Sequence, residues 1–259
     1  MTVAVGPIAA LDRRVPPLGG FNATVIRLEI RRMLRNRRTL LLTMIIPTVF
    51  YLLFGLNPAN GNGIASASLL VSMALYGAVL ATSSGGAMVS IERAAGWSRQ
   101  LRVTPLVPAA YIAVKIVTSL VLGAAAVGVV YVVAAATGRP SMPVWVWIVT
   151  AVAVWIGSLL FTAFGLFLGY LMPSENVMQM IGFVLVLFAF AGGLFIPLTL
   201  FSPVLRTIAA FTPMWGLNGL VHYPLGGGFN WVWVANLAGW LAIFTAGATV
   251  RFSKDTARV

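Results

Sequence analysis

Charged side chains are rare in this sequence, and only one internal segment collects several of them. Ile91–Lys115 reads IERAAGWSRQLRVTPLVPAAYIAVK and carries one acidic and four basic residues, while more than twenty uncharged residues flank it on each side. Such a segment is long enough to dock another protein and too short to be a domain. The chemistry that these residues indicate is ionic recognition of a partner, not catalysis.

The acidic residues do not provide an ion-coupling site. A carrier driven by protons or sodium usually holds carboxylates or histidines within its spans, although an ionised group at a helix centre costs roughly 2.5–3.5 kcal/mol on insertion scales. All the acidic residues map to a tail or to the predicted cytoplasmic edge. They are Asp12, Glu29, Glu92, Glu175 and Asp255.

The chain also has no motif for hydrolysing ATP. A P-loop needs a lysine followed by serine or threonine, but Lys115 and Lys254 are followed by Ile116 and Asp255. Energy for uphill transport must therefore come from another polypeptide.

No catalytic residue and no metal site is predicted. The absence of cysteine excludes disulfides, thiolate metal sites and thiol nucleophiles. A serine hydrolase built from Ser83 or Ser84 with the lone His222 has no orienting third group in the sequence TSSGG. His222 is expected to lie in an external hairpin that also contains Pro213 and Asn218. There it either caps a turn or acts in a gate.

The composition predicts an all-α polytopic membrane protein. Of 259 residues, 60% are hydrophobic and 8% are charged, and apolar runs long enough to cross about 30 Å of hydrocarbon follow one another along the chain. Six transmembrane helices are expected within a single transmembrane domain, 21–250. Their approximate bounds are 39–56, 64–90, 110–137, 144–172, 177–196 and 230–250.

Four further segments complete the expected organisation. Residues 1–20 form a flexible tail and 251–259 a short charged tail. Residues 21–38 place apolar and basic side chains on opposite faces, which is typical of an interfacial elbow helix, or else they are the positive flank of the first span. Residues 197–228, broken by four prolines, form either a re-entrant helical hairpin or a plain external loop.

The basic residues predict the orientation. With six spans, fifteen of the seventeen lysines and arginines lie on the side of the termini, and only Arg139 and Arg206 lie opposite. The positive-inside rule therefore places both termini and the Ile91–Lys115 segment in the cytoplasm.

Three segments carry a family resemblance. They are RLEIRRMLRNRRTLLLTMIIPTVFYLLFG at the first span, the loop IERAAGWSRQLRVTPLVPAAYIAVK, and the late GLFIPLTLFSPVLRTIAAFTPMWGLNGLVHYPL with the tail RFSKDTARV. Together they resemble the type-2 superfamily of ABC transporter permeases, in particular bacterial drug-exporter permeases of the daunorubicin-resistance kind. The resemblance covers nearly the whole chain from Phe21.

The resemblance implies a multidrug efflux system in the bacterial inner membrane. Two permeases, identical or sibling, would join two separate ATPase subunits that hold ATP and magnesium, so this chain would bind no cofactor itself. The cargo would be an amphiphilic drug or lipid. Trp97 departs from the smaller residue usual at its position.

The resemblance also implies two contacts with the ATPase. The main coupling segment would contain Glu92, Gly96, Trp97, Arg99, Leu101, Arg102, Thr104 and Pro105. The second, smaller contact would contain Met172, Pro173, Ser174 and Glu175.

Several roles have alternatives. Glu92 either pairs with an ATPase cation or caps a helix and balances Arg93, and Glu175 either contacts the ATPase or caps span five together with Ser174. The second and fifth spans are expected at the dimer interface. Eight residues are expected either to line a substrate path or simply to pack between spans. They are Ser83, Ser84, Met178, Met180, Phe183, Phe188, Phe190 and Phe195. The rival function is a self-contained facilitator, channel or scaffold without an ATPase.

Overall fold

A computed structural model of the chain describes residues 21–57, 63–96 and 108–257. Within these ranges the backbone forms helices and turns without any strand, as the all-helical prediction requires. The helices are α1 (Ala23–Arg35), α2 (Arg37–Phe50), α3 (Gly63–Ala94), α4 (Pro108–Thr137), α5 (Val144–Gly157), α6 (Leu159–Leu171), α7 (Ser174–Ala191), α8 (Pro203–Ala210), α9 (Pro213–His222) and α10 (Trp231–Ala257).

Five candidate spans are long and apolar enough to cross a membrane in the described part of the chain. They are α3, α4, α5 together with α6, α7, and α10. The first predicted span, 39–56, corresponds to a shorter apolar helix, Thr43–Gly55. Three helices end at other residues than the predicted spans: α3 continues to Ala94, α10 continues to Ala257, and α7 stops at Ala191, where two glycines follow.

Helix α3 lies at the centre of the fold. Of its apolar window, 72% is buried against other helices, compared with 6% for α10. The second span, which is expected at a dimer interface, therefore packs within the chain along most of its apolar window. Its serines and glycines serve packing within one chain, because small side chains let several neighbouring helices approach the same helix.

The closest approach to α3 is made by α6. A Cβ added at Gly165 would lie 2.1 Å from the carbonyl oxygen of Ser83, and one added at Gly86 would lie 2.4 Å from that of Thr162. Gly169 packs in the same way against Ala87. The small-residue spacing of Gly165 and Gly169 is the sequence feature that predicts this contact.

Pro47 alters α2 without ending it. The helix continues past Pro47 and then widens into a π-helical turn, Tyr51–Gly55, since a proline inside a helix removes one amide donor and crowds the preceding turn. A Cβ added at Gly77 of α3 would lie 3.0 Å from the carbonyl oxygen of Thr43 and 3.1 Å from the Pro47 ring. A glycine there allows α2 to pack directly on α3.

The fourth predicted span, 144–172, is two helices that meet at Ser158. The hydroxyl of Thr82 in α3 donates a hydrogen bond of 2.9 Å to the Ser158 carbonyl oxygen. This bond satisfies a backbone group at the break, as backbone buried in a membrane protein requires.

The segment between α7 and α10 contains two short helices. Ser202 caps α8 and Thr212 caps α9, each through its side chain, and each helix has a proline in its first turn. Helix α8 is mostly exposed, whereas α9 buries Met214, Leu217 and Val221 completely. The predicted hairpin 197–228 therefore has one outer helix and one helix that belongs to the packed core.

Candidate coupling site

The predicted coupling segment connects α3 to α4. Helix α3 ends at Ala94, and Gly96 follows with φ 74°, a left-handed conformation that suits the residue after a helix. Helix α4 then begins at Pro108. The other predicted coupling residues lie outside the described residues: Trp97, Arg99, Leu101, Arg102, Thr104 and Pro105.

A cluster of charged side chains, called here the charge cluster, joins the two ends of this segment to α1. Lys115 of α4 places its ammonium 2.5 Å from a carboxylate oxygen of Glu92 in α3, and it also donates to the carboxylate of Glu29 in α1. Arg32 donates to the same oxygen of Glu92 at 2.9 Å, and the hydroxyl of Tyr111 donates to its other oxygen. Three helices are thereby connected through one carboxylate.

The local sequence explains why these side chains meet. Tyr111 and Lys115 are four residues apart on α4, and Glu29 and Arg32 are three apart on α1, so each pair projects from one face of its helix. Glu92 stands in the last turn of α3. The three helices converge with these faces toward one another.

Burial makes the charge cluster energetically important. The side chains of Lys115 and Glu92 are 1% and 2% exposed, Glu29 is 15% exposed, and Arg32 is 44% exposed. Removing each buried ion from water costs several kcal/mol, which is offset only when opposite charges and hydrogen bonds surround it. Two carboxylates face two cations here. Lys115 is held inside this cluster and does not reach the surface.

The second predicted contact lies beside the end of α3. Ser90 donates a hydrogen bond of 2.8 Å to the Met172 carbonyl oxygen. Arg93 donates to the carbonyl oxygens of Gly169 and Tyr170 at 3.2 Å each, and its guanidinium lies over the Tyr170 ring. A cation at the C-terminus of α6 complements the unpaired carbonyl groups there. Helix α3 is thus bonded to both predicted contact regions.

The capping role considered for Ser174 and Glu175 is not seen. Pro173 occupies the cap position of α7 and no side chain caps the helix, while Ser174 donates to the Glu175 carboxylate at 3.2 Å. Glu175 is exposed in the first turn of α7, where a negative charge is favourable. The exposed carboxylate is available to a partner.

The residues predicted for a substrate path have different surroundings in the described part of the chain. Ser83 is completely buried at the contact with Gly165, and Ser84 borders a small groove between α1, α2, α3 and α4. Phe188 packs on Phe164 and Phe195 packs on Tyr76 in the core. The remaining aromatic and methionine residues are exposed or half-buried on α7: Met178, Met180, Phe183 and Phe190.

His222 joins α9 to α3 at the other end of the molecule. Its Nε2 atom lies 3.2 Å from both the Ser72 hydroxyl oxygen and the Ser68 carbonyl oxygen, and Nδ1 lies 2.9 Å from the Asn218 carbonyl oxygen. Asn218 donates in turn to the Gly192 carbonyl oxygen, and Pro213 begins α9. His222 therefore contacts Ser72 on α3. Ser72 lies eleven residues before Ser83, which is about 16 Å along the helix. His222 thus does not pair with Ser83 or Ser84 as a serine hydrolase would require.

Sequence reasoning overlooked Glu29, Arg32 and Tyr111 as site residues. A signal for Glu29 exists, because it lies among Ile26, Ile30 and Met33 on the inward face of α1. A carboxylate on an otherwise apolar helix face indicates a buried partner. The identity of that partner depends on which helices become neighbours.

Two comparisons with known proteins bear on this arrangement. Residues 22–223 match the family described as "ABC-2 type transporter". A Bacillus subtilis (strain 168) protein described as "Putative transport permease YvfS" is 24% identical over 223 residues, which cover 83% of this chain and 90% of that protein.

Proposed function

The chain belongs to the ABC-2 type transporter family, and on that premise we propose that it is the permease subunit of an ATP-driven bacterial exporter. Two separate ATPase subunits bind ATP and magnesium and hydrolyse the nucleotide. The chain itself binds no cofactor and catalyses no bond cleavage. The observation that carries the proposal is the charge cluster, which connects both ends of the basic segment 97–107 to a third helix.

The charge cluster explains how a movement of this segment would reach the membrane. When the ATPase subunits close on ATP, they displace the segment that contains Arg99 and Arg102. Because Glu92 and Lys115 hold its two ends together, α3 and α4 move as one unit and not as independent helices. Glu29 carries the displacement to α1. The change is a rigid-body transition driven by ATP affinity that differs between the two states.

The second contact takes part in the same movement. Ser90 and Arg93 bond the end of α3 to the backbone before Ser174. An ATPase surface that binds both segment 97–107 and the exposed carboxylate of Glu175 would displace the end of α3 through both contacts. Glu92 contributes as the internal connection between helices, since its carboxylate is buried.

The protein crosses the cytoplasmic membrane six times with both termini inside. The short helix Thr43–Gly55 together with the start of α2 forms the first span. Helix α1 lies in the cytoplasmic interface as an elbow, because its exposed face is rich in arginine and its inward face is apolar. Helices α8 and α9 form the re-entrant hairpin from the opposite side, and the burial of α9 supports this arrangement.

A second permease, identical or a sibling, completes the transporter. The fifth span, α7, stays at the dimer interface in this proposal. Its outward face carries Glu175, Gln179 and Phe183, and a glutamine exposed on a spanning helix is better placed against protein or water than against lipid. The cargo is an amphiphilic drug or lipid that moves between the two permeases, which makes the system an efflux pump.

Co-purification and transport with the ATPase test the proposal. We expect an ABC ATPase subunit from the same organism, co-expressed with this chain, to co-purify with it, and the pair to take up an amphiphilic dye into inverted vesicles only with ATP. Arg99→Glu with Arg102→Glu should abolish assembly and ATPase stimulation, whereas Arg139→Glu at the other end should preserve both. Unchanged assembly of the double variant would contradict the coupling assignment.

The rival function, a self-contained facilitator, channel or scaffold, predicts a different result. The purified chain alone would then pass the dye down its gradient at the same rate with and without the ATPase.

A further inference from the structure

A groove lies next to the charge cluster, on the same three helices. It is bordered by α1 and the start of α2 on one side and by α3 and α4 on the other. Met33 stands one turn after Glu29, Met88 one turn before Glu92, and Leu122 two turns after Lys115. These lining residues therefore lie one to two helical turns from the charge cluster, and the groove extends away from it along the helices.

The lining of the groove is mostly apolar and includes three polar residues, Asn36, Thr43 and Ser84. Met33, Leu40, Ala81, Met88 and Leu122 supply the apolar walls. Asn36, the single residue between α1 and α2, borders the groove as well. A shallow apolar surface beside a polar rim has the chemistry of a lipid contact, with the chain along the apolar surface and the headgroup at the rim.

The charge around Asn36 favours an anionic headgroup. Arg35 and Arg37 flank Asn36 in the chain, and both are exposed. Arg27 and Arg31 are exposed on α1 as well. The junction between a helix with one basic face and a spanning helix lies at headgroup depth, where each basic residue strengthens binding of anionic lipid by about fivefold.

We propose that this groove is a binding site for an anionic phospholipid of the leaflet on the α1 side. One acyl chain lies between Leu40 and Leu122, and the phosphate lies at Asn36 with Arg35 and Arg37. The bound lipid packs against α1, α3 and α4 next to Glu29, Glu92 and Lys115, so it becomes part of the unit that these charges hold together. The site does not depend on whether the protein exports a substrate.

Photocrosslinking in lipid nanodiscs tests the site. The full chain is placed in phosphatidylcholine nanodiscs with a trace of phosphatidylglycerol or phosphatidylcholine that carries a diazirine in one acyl chain. Adducts are located by peptide mass spectrometry. We expect labelling of groove peptides from α2 and α4 that is several-fold stronger with phosphatidylglycerol.

Two pairs of variants distinguish this site from general lipid contact. Arg35→Gln with Arg37→Gln should reduce phosphatidylglycerol labelling of the groove by about tenfold or more, since two cations are lost, while Arg251→Gln, an exposed cation at the end of another helix, should not. Leu40→Trp should block the groove, while Leu41→Trp, which is 53% exposed, should not.

Two results would overturn the proposal. Equal labelling by the two headgroups would mean that only boundary lipid is present. Unchanged labelling of the Arg35→Gln, Arg37→Gln protein would show that the groove does not select anionic lipid. Because both side chains are exposed, this variant remains informative even if Leu40→Trp misfolds.

Discussion

The carboxylate of Glu92 and the ammonium of Lys115 lie 2.5 Å apart across the two ends of the segment 97–107. Both groups are almost completely buried, and they are the only acidic residue and the last basic residue of the charged stretch in the sequence. The pair therefore joins α3 to α4 beside the segment that we propose to contact the ATPase.

Loss of Lys115 should destabilise the fold strongly. Lys115→Met removes the more deeply buried of the two cations that Glu29 and Glu92 share and leaves both carboxylates to Arg32, and breaking a buried pair in this way costs about 3–5 kcal/mol. We expect a large drop in the midpoint of thermal unfolding, measured by tryptophan fluorescence in detergent. Arg251→Met, at an exposed position, should leave the midpoint nearly unchanged. A Lys115→Met protein as stable as the wild type would show that the charge cluster contributes little.

Exchanging the two charges should not restore stability. In the Glu92→Lys, Lys115→Glu protein the swapped lysine faces Arg32 and the swapped carboxylate faces Glu29, so two repulsive contacts replace attractive ones. The same unfolding measurement should place the double variant at or below the less stable single variant. Recovery to the wild-type midpoint would mean that Glu92 and Lys115 act as an isolated pair and that α1 is not part of the connection.

Gly165 should not accept even a methyl group. Gly165→Ala places Cβ 2.1 Å from the Ser83 carbonyl oxygen, and backbone cannot yield as a flexible side chain does, so we expect a loss of about 1–3 kcal/mol. Gly128→Ala is the matched control, because nothing lies within 4 Å of its ideal Cβ and alanine favours helix by up to about 1 kcal/mol. Unfolding midpoints should move in opposite directions. Equal midpoints would contradict the close packing of α3 on α6.

His222 should hold the hairpin against α3. His222→Leu removes both ring nitrogens and with them the contacts to the Ser72 hydroxyl and to the Ser68 and Asn218 carbonyl oxygens, a loss of about 1–3 kcal/mol. Faster hydrogen exchange is expected in α9. His222→Gln retains a donor of similar reach and should exchange at an intermediate rate. If both variants exchange like the wild type, His222 does not hold the hairpin.

Single cysteines should report the orientation directly, since the chain contains none. A membrane-impermeant maleimide should label Arg139→Cys and Arg206→Cys in intact cells, but Arg99→Cys only after permeabilisation. Positive charge on the cytoplasmic side is the physical reason. Labelling of Arg99→Cys in intact cells would show that this segment lies outside the cell, where it cannot contact a cytoplasmic ATPase.

The contact between α3 and α6 shows what the sequence alone predicts about helix packing and what it does not. Gly165 and Gly169 predict that α6 packs closely on some helix, and the serines and glycines of α3 predict the same for α3. Neither pattern says whether the partner is in the same chain, so assigning α3 to a dimer interface was an equally consistent interpretation. Burial of α3 shows that most of its apolar window packs within one chain.

The sequence by itself determined the helical class, the approximate positions of the long helices and the family. Apolar runs can cross hydrocarbon only as helices, because every backbone donor and acceptor must find a partner within its own segment. Only the tertiary structure decided that Lys115 meets Glu29, 86 positions away. A charged side chain can be recognised locally, but its partner depends on which helices become neighbours, and that is set by the packing of the whole chain.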